Sequence, residues 1–127
     1  MRKHELEERL IEFAVLVLEI VKTMPDTKVS NHLAGQLMRS GTSSALNYGE
    51  AQSGESIRDF IHKIKIVLKE LRETNICLKI IFRTKLFKIE DKIVTAINES
   101  NQLIAIFVKS VETAQKNNQK TDSLNAK

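Results

Sequence analysis

The stretch Glu55–Arg83, ESIRDFIHKIKIVLKELRETNICLKIIFR, sorts its residues onto opposite sides of one long helix. Ile57, Ile64, Leu71 and Leu78 recur every seven residues. Phe60, Ile61, Val67, Leu68, Ile81 and Phe82 fill neighbouring positions, so a broad apolar face runs its full length. Away from that face, Arg58, His62, Lys65, Lys69, Arg72, Lys79 and Arg83 follow at spacings of three, four or seven. One helix is therefore expected to pack a core and to present a basic rail. The charge excess of the chain is concentrated there. Residues 56–88 carry nine Lys/Arg against three acids, while 1–25 carry four against five, 26–55 two against three and 89–127 five against five.

With 127 residues the chain has room for one domain and one core. One proline, four glycines and few aromatics suit long helices and argue against a sandwich or barrel. Cys77 is the only cysteine, so an internal disulfide is excluded and a reducing compartment is indicated. Glu5, Glu7, Glu8 and Glu12 precede the apolar stretch Phe13–Leu18, and Glu19 cuts it, which does not fit a secretory signal. No run approaches the roughly 18 uncharged apolar residues of a membrane span. A cytoplasmic location is the expectation. A net charge of +4 is compatible with a nucleic-acid partner without requiring one.

Outward from the central helix, three more helical stretches follow the same logic. The first, about Lys3 to Met24, places Leu6, Leu10, Phe13, Ala14, Val17, Leu18 and Val21 on one face, with Ile11, Val15, Leu16 and Ile20 partly off it. Pro25 ends it, and Asp26 or Thr27 can cap the next. The second, about Val29 to Gln52, carries Leu33, Leu37, Met38, Leu46 and Tyr48. Its middle, Ser40–Ala45, is small and polar, which suggests close helix approach, a backbone site or a break near Gly41. Ser53-Gly54 is a turn, and Ser56 with Asp59 resembles an acidic capping box for the central helix. After a connection at Thr84–Lys88, a fourth helix from Ile89 to about Gln115 carries Ile93, Ala96, Ile97, Leu103, Ile104, Phe107, Val108 and Val111, with a kink conceivable at Asn98–Asn101.

The fold class is all-α: an antiparallel up-down-up-down four-helix bundle over 1–115, followed by a polar, disordered tail over 116–127. Ile66, Ile76 and Ile80 fall outside the main apolar face, and the first helix is apolar well round its circumference. Together they point to a second apolar surface, hence a subunit interface, against the alternative of scattered exposed isoleucines.

No pattern here supports catalysis or cofactor binding. A di-metal bundle site needs paired Glu-x-x-His motifs, and the chain offers only Asp59-Phe60-Ile61-His62 once, so neither metal nor cofactor is expected. Gly-rich phosphate loops and nucleophile elbows are absent from the sequence. Arg39, Ser43, Asn47 and Glu50 share a helix face by their spacing, and Glu70, Glu73, Thr74 and Asn75 interrupt the apolar pattern of the central helix at a matching depth. These read as a structural polar network, Arg39, Ser43, Asn47, Glu50, Glu70 and Glu73, in preference to a pocket. For the rail, a phosphate backbone and plain solvation stand level on the residues alone, because Asp59, Glu70 and Glu73 can pair locally with Lys63, Lys69 or Arg72.

The run from Leu33 to Ile81 also carries a motif. It contains Gln36-Leu37-Met38-Arg39-Ser40-Gly41-Thr42-Ser43, Asn47-Tyr48-Gly49-Glu50-Ala51, Asp59-Phe60 and Leu68-Lys69-Glu70-Leu71-Arg72-Glu73-Thr74. In order and spacing this resembles the four-helix-bundle proteins encoded within intervening sequences of bacterial 23S ribosomal RNA genes. Cys77 departs from that family's pattern, which often has an aromatic, commonly Trp, at this point. The resemblance implies a bundle assembled as a ring, usually a homopentamer, without enzymatic activity. Related accessory proteins of diversity-generating retroelements use such a ring to bind nucleic acid and a reverse transcriptase.

Two functions are carried forward. One is a non-enzymatic homo-oligomer binding RNA or DNA through Arg58, Lys65, Lys69, Arg72, Lys79 and Arg83. The other is an adaptor that docks a protein partner and binds no nucleic acid. No membrane partner is expected.

Overall fold

Helix α1 spans Lys3–Lys22, α2 Lys28–Gln52, α3 Ile57–Thr84 and α4 Glu90–Asn125. The computed structural model describes residues 1–85 and 90–125. The expected connection at Thr84–Lys88 and helix start at Ile89 fall largely on 86–89, outside the described residues.

Helix boundaries follow local chemistry. Pro25 lies just beyond α1, and the Thr23 hydroxyl bonds back to the Ile20 carbonyl at 3.0 Å. The Thr27 side chain accepts from the Ser30 N–H at 3.1 Å, so Thr27 and not Asp26 caps α2. Ser56 likewise accepts from the Asp59 N–H at 3.1 Å to start α3. At its other end α3 stops on Lys85, held left-handed at φ 58°. A lysine in that region is strained, and its ammonium is anchored over the Phe82 ring at 4.7 Å and beside Glu90 at 3.2 Å.

Each helix packs on its sequence neighbours, and α4 closes back on α1. Partners run in opposite order along the α2–α3 seam, as in Leu33 with Cys77, Ser40 with Thr74 and Glu50 with Lys63, and along the α1–α4 seam, as in Arg9 with Glu99 and Glu19 with Lys92. This is the antiparallel four-helix bundle. Ile64, Leu71 and Leu78 are fully buried, joined by Leu10, Val17 and Ile20 of α1, Leu37 of α2, and Ile93, Leu103 and Phe107 of α4. Tyr48 of α2 meets Phe107 of α4 edge-on across the core, ring centroids 5.5 Å apart, a geometry that adds about 0.5–1.5 kcal/mol to burial. The same burial raises the Tyr48 phenol above its ordinary pKa.

Several expectations need correction. Ile20 is fully buried, because the core wraps further round α1 than a single stripe predicts. Ile57 is exposed at the first turn of α3, beyond the reach of the other helices. At Gly41 α2 does not break: the small residues there serve close approach to α1. A Cβ built on Gly41 would stand 2.8 Å from Val17 Cγ1. Asn98–Asn101 lie inside an unbroken α4, where Ser100 sits fully buried in the core line. The helix does not stop at Gln115. It continues to Asn125, past the expected start of a disordered tail at 116, because Val111, Ala114, Gln115 and Asn118 keep helical spacing and Ala114, Gln115 and Asn118 lie beside α3.

The glycines of α2 separate two effects. Gly41→Ala should destabilise the fold, since overpacking a fixed, buried Val17 costs about 1–3 kcal/mol against a helix-propensity gain of about 1 kcal/mol. Nothing lies within 4 Å of a Cβ built at Gly35, so Gly35→Ala should stabilise by about 0.5–1 kcal/mol. Urea unfolding of both variants checks the opposite signs.

Candidate nucleic-acid interface

The amphipathic pattern of α3 delivers the rail as read. Arg58, His62, Lys65, Lys69, Arg72, Lys79 and Arg83 are all exposed along α3. From Arg58 to Arg83 the rail is roughly 37 Å long at about 1.5 Å rise per residue. None of its cations is in an ion pair among the described residues.

That openness has a structural cause. Local pairing of Glu70 and Glu73 with Lys69 or Arg72 does not occur, because α2 supplies a better partner. Arg39 donates to Glu70 Oε2 at 3.1 Å and to Glu73 Oε2 at 2.8 Å. These two bonds, and the field of both carboxylates, raise the guanidinium above its ordinary pKa, the Glu73 bond contributing most. Lys63, on the α2 side of α3, pairs with Glu50 at 2.6 Å. Two of the three acids within α3 are thus turned toward α2, and the rail keeps its full charge.

The expected polar network is present only in part. Arg39, Glu70 and Glu73 form one cluster. Asn47 donates to the Ser43 carbonyl and hydroxyl, both at 2.9 Å, inside its own helix, and Glu50 bonds neither of them. Four-residue spacing put these groups on one face, but Asn47 and Ser43 satisfy each other before reaching α3. The buried links between helices lie elsewhere. Ser40 and Thr74 hydroxyls bond each other at 2.8 Å. Asn75, buried, donates to Ser100 Oγ at 2.8 Å and Asn101 Oδ1 at 3.0 Å, tying α3 to α4. The loose seam between α1 and α4 is held by Arg9 with Glu99 and by Lys92 with Glu19 at 3.1 Å. Thr74 and Asn75 were visible as breaks in the apolar pattern; Ser100, a small residue on a helical repeat, gave no signal of its own.

Of the three isoleucines assigned to an interface, Ile76 and Ile80 are exposed and Ile66 is half-buried. Ile76 and Ile80 border a groove of about 370 Å³ between α2 and α3, with Leu33, Gln36 and Cys77. On a helix, neighbours lie three and four residues apart, so Ile76 adjoins Arg72, Lys79 and Ile80, and Ile80 adjoins Arg83. The apolar patch and the distal half of the rail therefore share turns. Ile11 and Val15 of α1 and Met38 and Leu46 of α2 are exposed as well. Cys77 itself is buried, its thiol pushed to a higher pKa by desolvation and facing the Leu33 carbonyl at 3.6 Å, which suits packing more than reactivity.

Among the described residues no group of three or more His, Cys, Asp or Glu is placed to hold a metal ion. No helix there is long and apolar enough to cross a membrane.

The two kinds of asparagine give a direct contrast. Asn75→Ala should cost about 1–3 kcal/mol, because it strips the buried Ser100 of a partner. Asn47→Ala should cost less than about 1 kcal/mol, since its bonds stay within α2. Equal losses in thermal or urea melts would show that the α3–α4 link carries no special weight.

Comparison with known proteins agrees with this architecture. A crystal structure of a protein with unknown function from the S23 ribosomal protein family, from Bacteroides thetaiotaomicron, superposes with a TM-score of 0.79 at 28% identity, covering 88% of this chain and 99% of that one. No curated protein matches. The family described as 23S rRNA-intervening sequence protein matches residues 2–109, nearly all of the bundle and the whole rail. With four helices in the expected order and the motif of α2 and α3 on facing sides of one seam, the chain belongs to the 23S rRNA-intervening sequence protein family.

Proposed function

We propose that this protein is a non-enzymatic, cytoplasmic homo-oligomer, a pentameric ring, that binds RNA or DNA through phosphate contacts to α3. One observation carries the reading: the rail's cations are exposed and unpaired among the described residues, while Glu70 and Glu73 are paired with Arg39 of α2. Unneutralised charge in a line is the feature that a phosphate backbone rewards, because each contact releases condensed counterions. A ring repeats the line around one assembly and multiplies the field. Exposed Ile76 and Ile80, with Ile11 and Val15 on α1, supply apolar area for subunit contacts. The rail has no interleaved aromatic residue, so little sequence preference follows.

A second reading rests on Ile76 standing among Arg72 and Lys79. A mixed basic and apolar surface also fits an acidic protein partner, reverse transcriptase included, and an adaptor role takes over if nucleic acid does not bind.

Fluorescence anisotropy with labelled RNA and DNA, from low to physiological salt, tests the first reading. Affinity should fall linearly with salt on a log–log plot, with a slope of about −0.9 per contacted phosphate on duplex DNA and about −0.7 on single strands. Arg58→Glu, Lys65→Glu and Lys69→Glu together should reduce affinity at least about tenfold and flatten the slope. These three positions stand clear of Ile76 and Ile80, so assembly should survive. If nothing binds at low salt, the rail is a solvated face.

Light scattering should give about five times the 14.5 kDa chain mass. Ile80→Lys should reduce that mass. A monomer at micromolar concentration for the unaltered chain would refute the ring.

A further inference from the structure

The proximal end of the rail is built differently from the rest. There the first turns of α3 meet the last turns of α4 across an open cleft of about 440 Å³, a size within the range of about 300–1,000 Å³ typical of small-ligand sites. Arg58, His62 and Lys65 line one wall, and Gln115, Asn118 and Gln119 line the other. Ile61, 8% exposed, forms the floor. Among the described residues no carboxylate lines the cleft. The opposing wall lies past residue 109, where the family match ends.

We infer that this cleft holds one nucleotide of a single strand, its phosphate on Arg58, His62 and Lys65 and its base edge on Gln115, Asn118 and Gln119. The inference rests on the rail reading and adds to it a place where bases, and not only phosphates, are touched. Two features carry it. A guanidinium and an ammonium on one wall offer the fork and point charge that suit phosphate oxygens. Each carboxamide on the other wall pairs an acceptor with two donors, the arrangement that matches a base edge.

None of the three carboxamides has a hydrogen-bond partner among the described residues, although Gln115 and Asn118 are half-buried. They are available to a ligand. Watson–Crick edges are hidden in a duplex and open in a single strand. The straight part of the rail sees only backbone and treats the two forms alike; the cleft does not.

The test uses the full chain and three labelled probes of equal length at one low salt concentration: a single strand, its duplex, and an abasic sugar-phosphate strand. Gln115→Ala, Asn118→Ala and Gln119→Ala together should weaken the single strand by about tenfold and leave the duplex and the abasic strand within about twofold. Alanine is a better helix former than either carboxamide, so the fold should hold. Gln119→Met, which keeps the length and removes the hydrogen-bonding groups without adding charge, should weaken the single strand in the same direction. Equal losses on all three probes, or no loss on any, would overturn the cleft and leave the rail standing. If the unaltered chain binds none of the probes, the rail fails first and the cleft with it.

Discussion

Arg39 is the residue on which the charge distribution of this bundle depends. Glu70 is nearly buried and Glu73 half-buried, and a carboxylate in that position is costly unless a cation and hydrogen bonds accompany it. Two cations could have served, one from α3 itself and one from α2. The α2 guanidinium wins because it reaches both carboxylates with separate N–H groups, a geometry that an ammonium one turn away on the same helix cannot reproduce. The consequence appears along the exposed side of α3. Lys69 and Arg72 lose their nearest acids and remain without ion pairs among the described residues. A packing requirement between two helices thereby decides how much charge the protein shows to the solvent.

The seams around α3 illustrate how polar groups set register without spoiling a core. Small residues on α2, Ser40, Gly41 and Ser44, are buried where larger ones would hold the helices apart. Gly41 admits Val17 of α1, while Ser40 meets Thr74 of α3. A hydroxyl pair of this kind favours one register, since sliding either helix by a turn leaves each hydroxyl only a carbonyl of its own helix. Asn75 performs the same task toward α4. Among the described residues the seam between α1 and α4 has no such fully buried link, and it is closed by the part-buried Arg9–Glu99 pair and the exposed Lys92–Glu19 pair. Three seams are specified from inside, one from outside.

How far the sequence disclosed this follows from which interactions are periodic. Ile64, Leu71 and Leu78 repeat with the helix, so α3, its buried face and its rail were legible, and four such helices with short connections left few arrangements. Partner choice is not periodic. Whether Glu70 meets Lys69 on its own helix or Arg39 on another depends on distances across a seam that no spacing rule contains. Asn47 and Glu50 share a face with Arg39 by arithmetic, yet each finds a nearer partner. Ser100 shows a further limit: a small polar residue in a core line looks like a defect until its partner, Asn75, is seen opposite. The end of α4 failed for a related reason. Its residues carry no apolar stripe beyond Ala114, and only the position of α3 reveals that Gln115 and Asn118 still face a neighbour.

On the proposed reading one helix would serve both assembly and ligand, and the two tasks would divide along its length. Ile76 and Ile80 share turns with Arg72, Lys79 and Arg83, so a subunit packed on the isoleucines would bring those cations to its rim. Charges at a rim contribute to steering and partner choice more than to affinity, and they stay accessible to solvent and to phosphate alike. Arg58, His62 and Lys65 stand several turns away, opposite carboxamides and not isoleucines. On that reading the proximal half of α3 would be free to discriminate among ligands, while the distal half would be constrained by a subunit packed on its apolar patch. Charge reversal at Arg72 and Lys79 would disturb both tasks together. Reversal at Arg58 and Lys65 isolates one, which makes the proximal half the place where recognition can be measured apart from assembly.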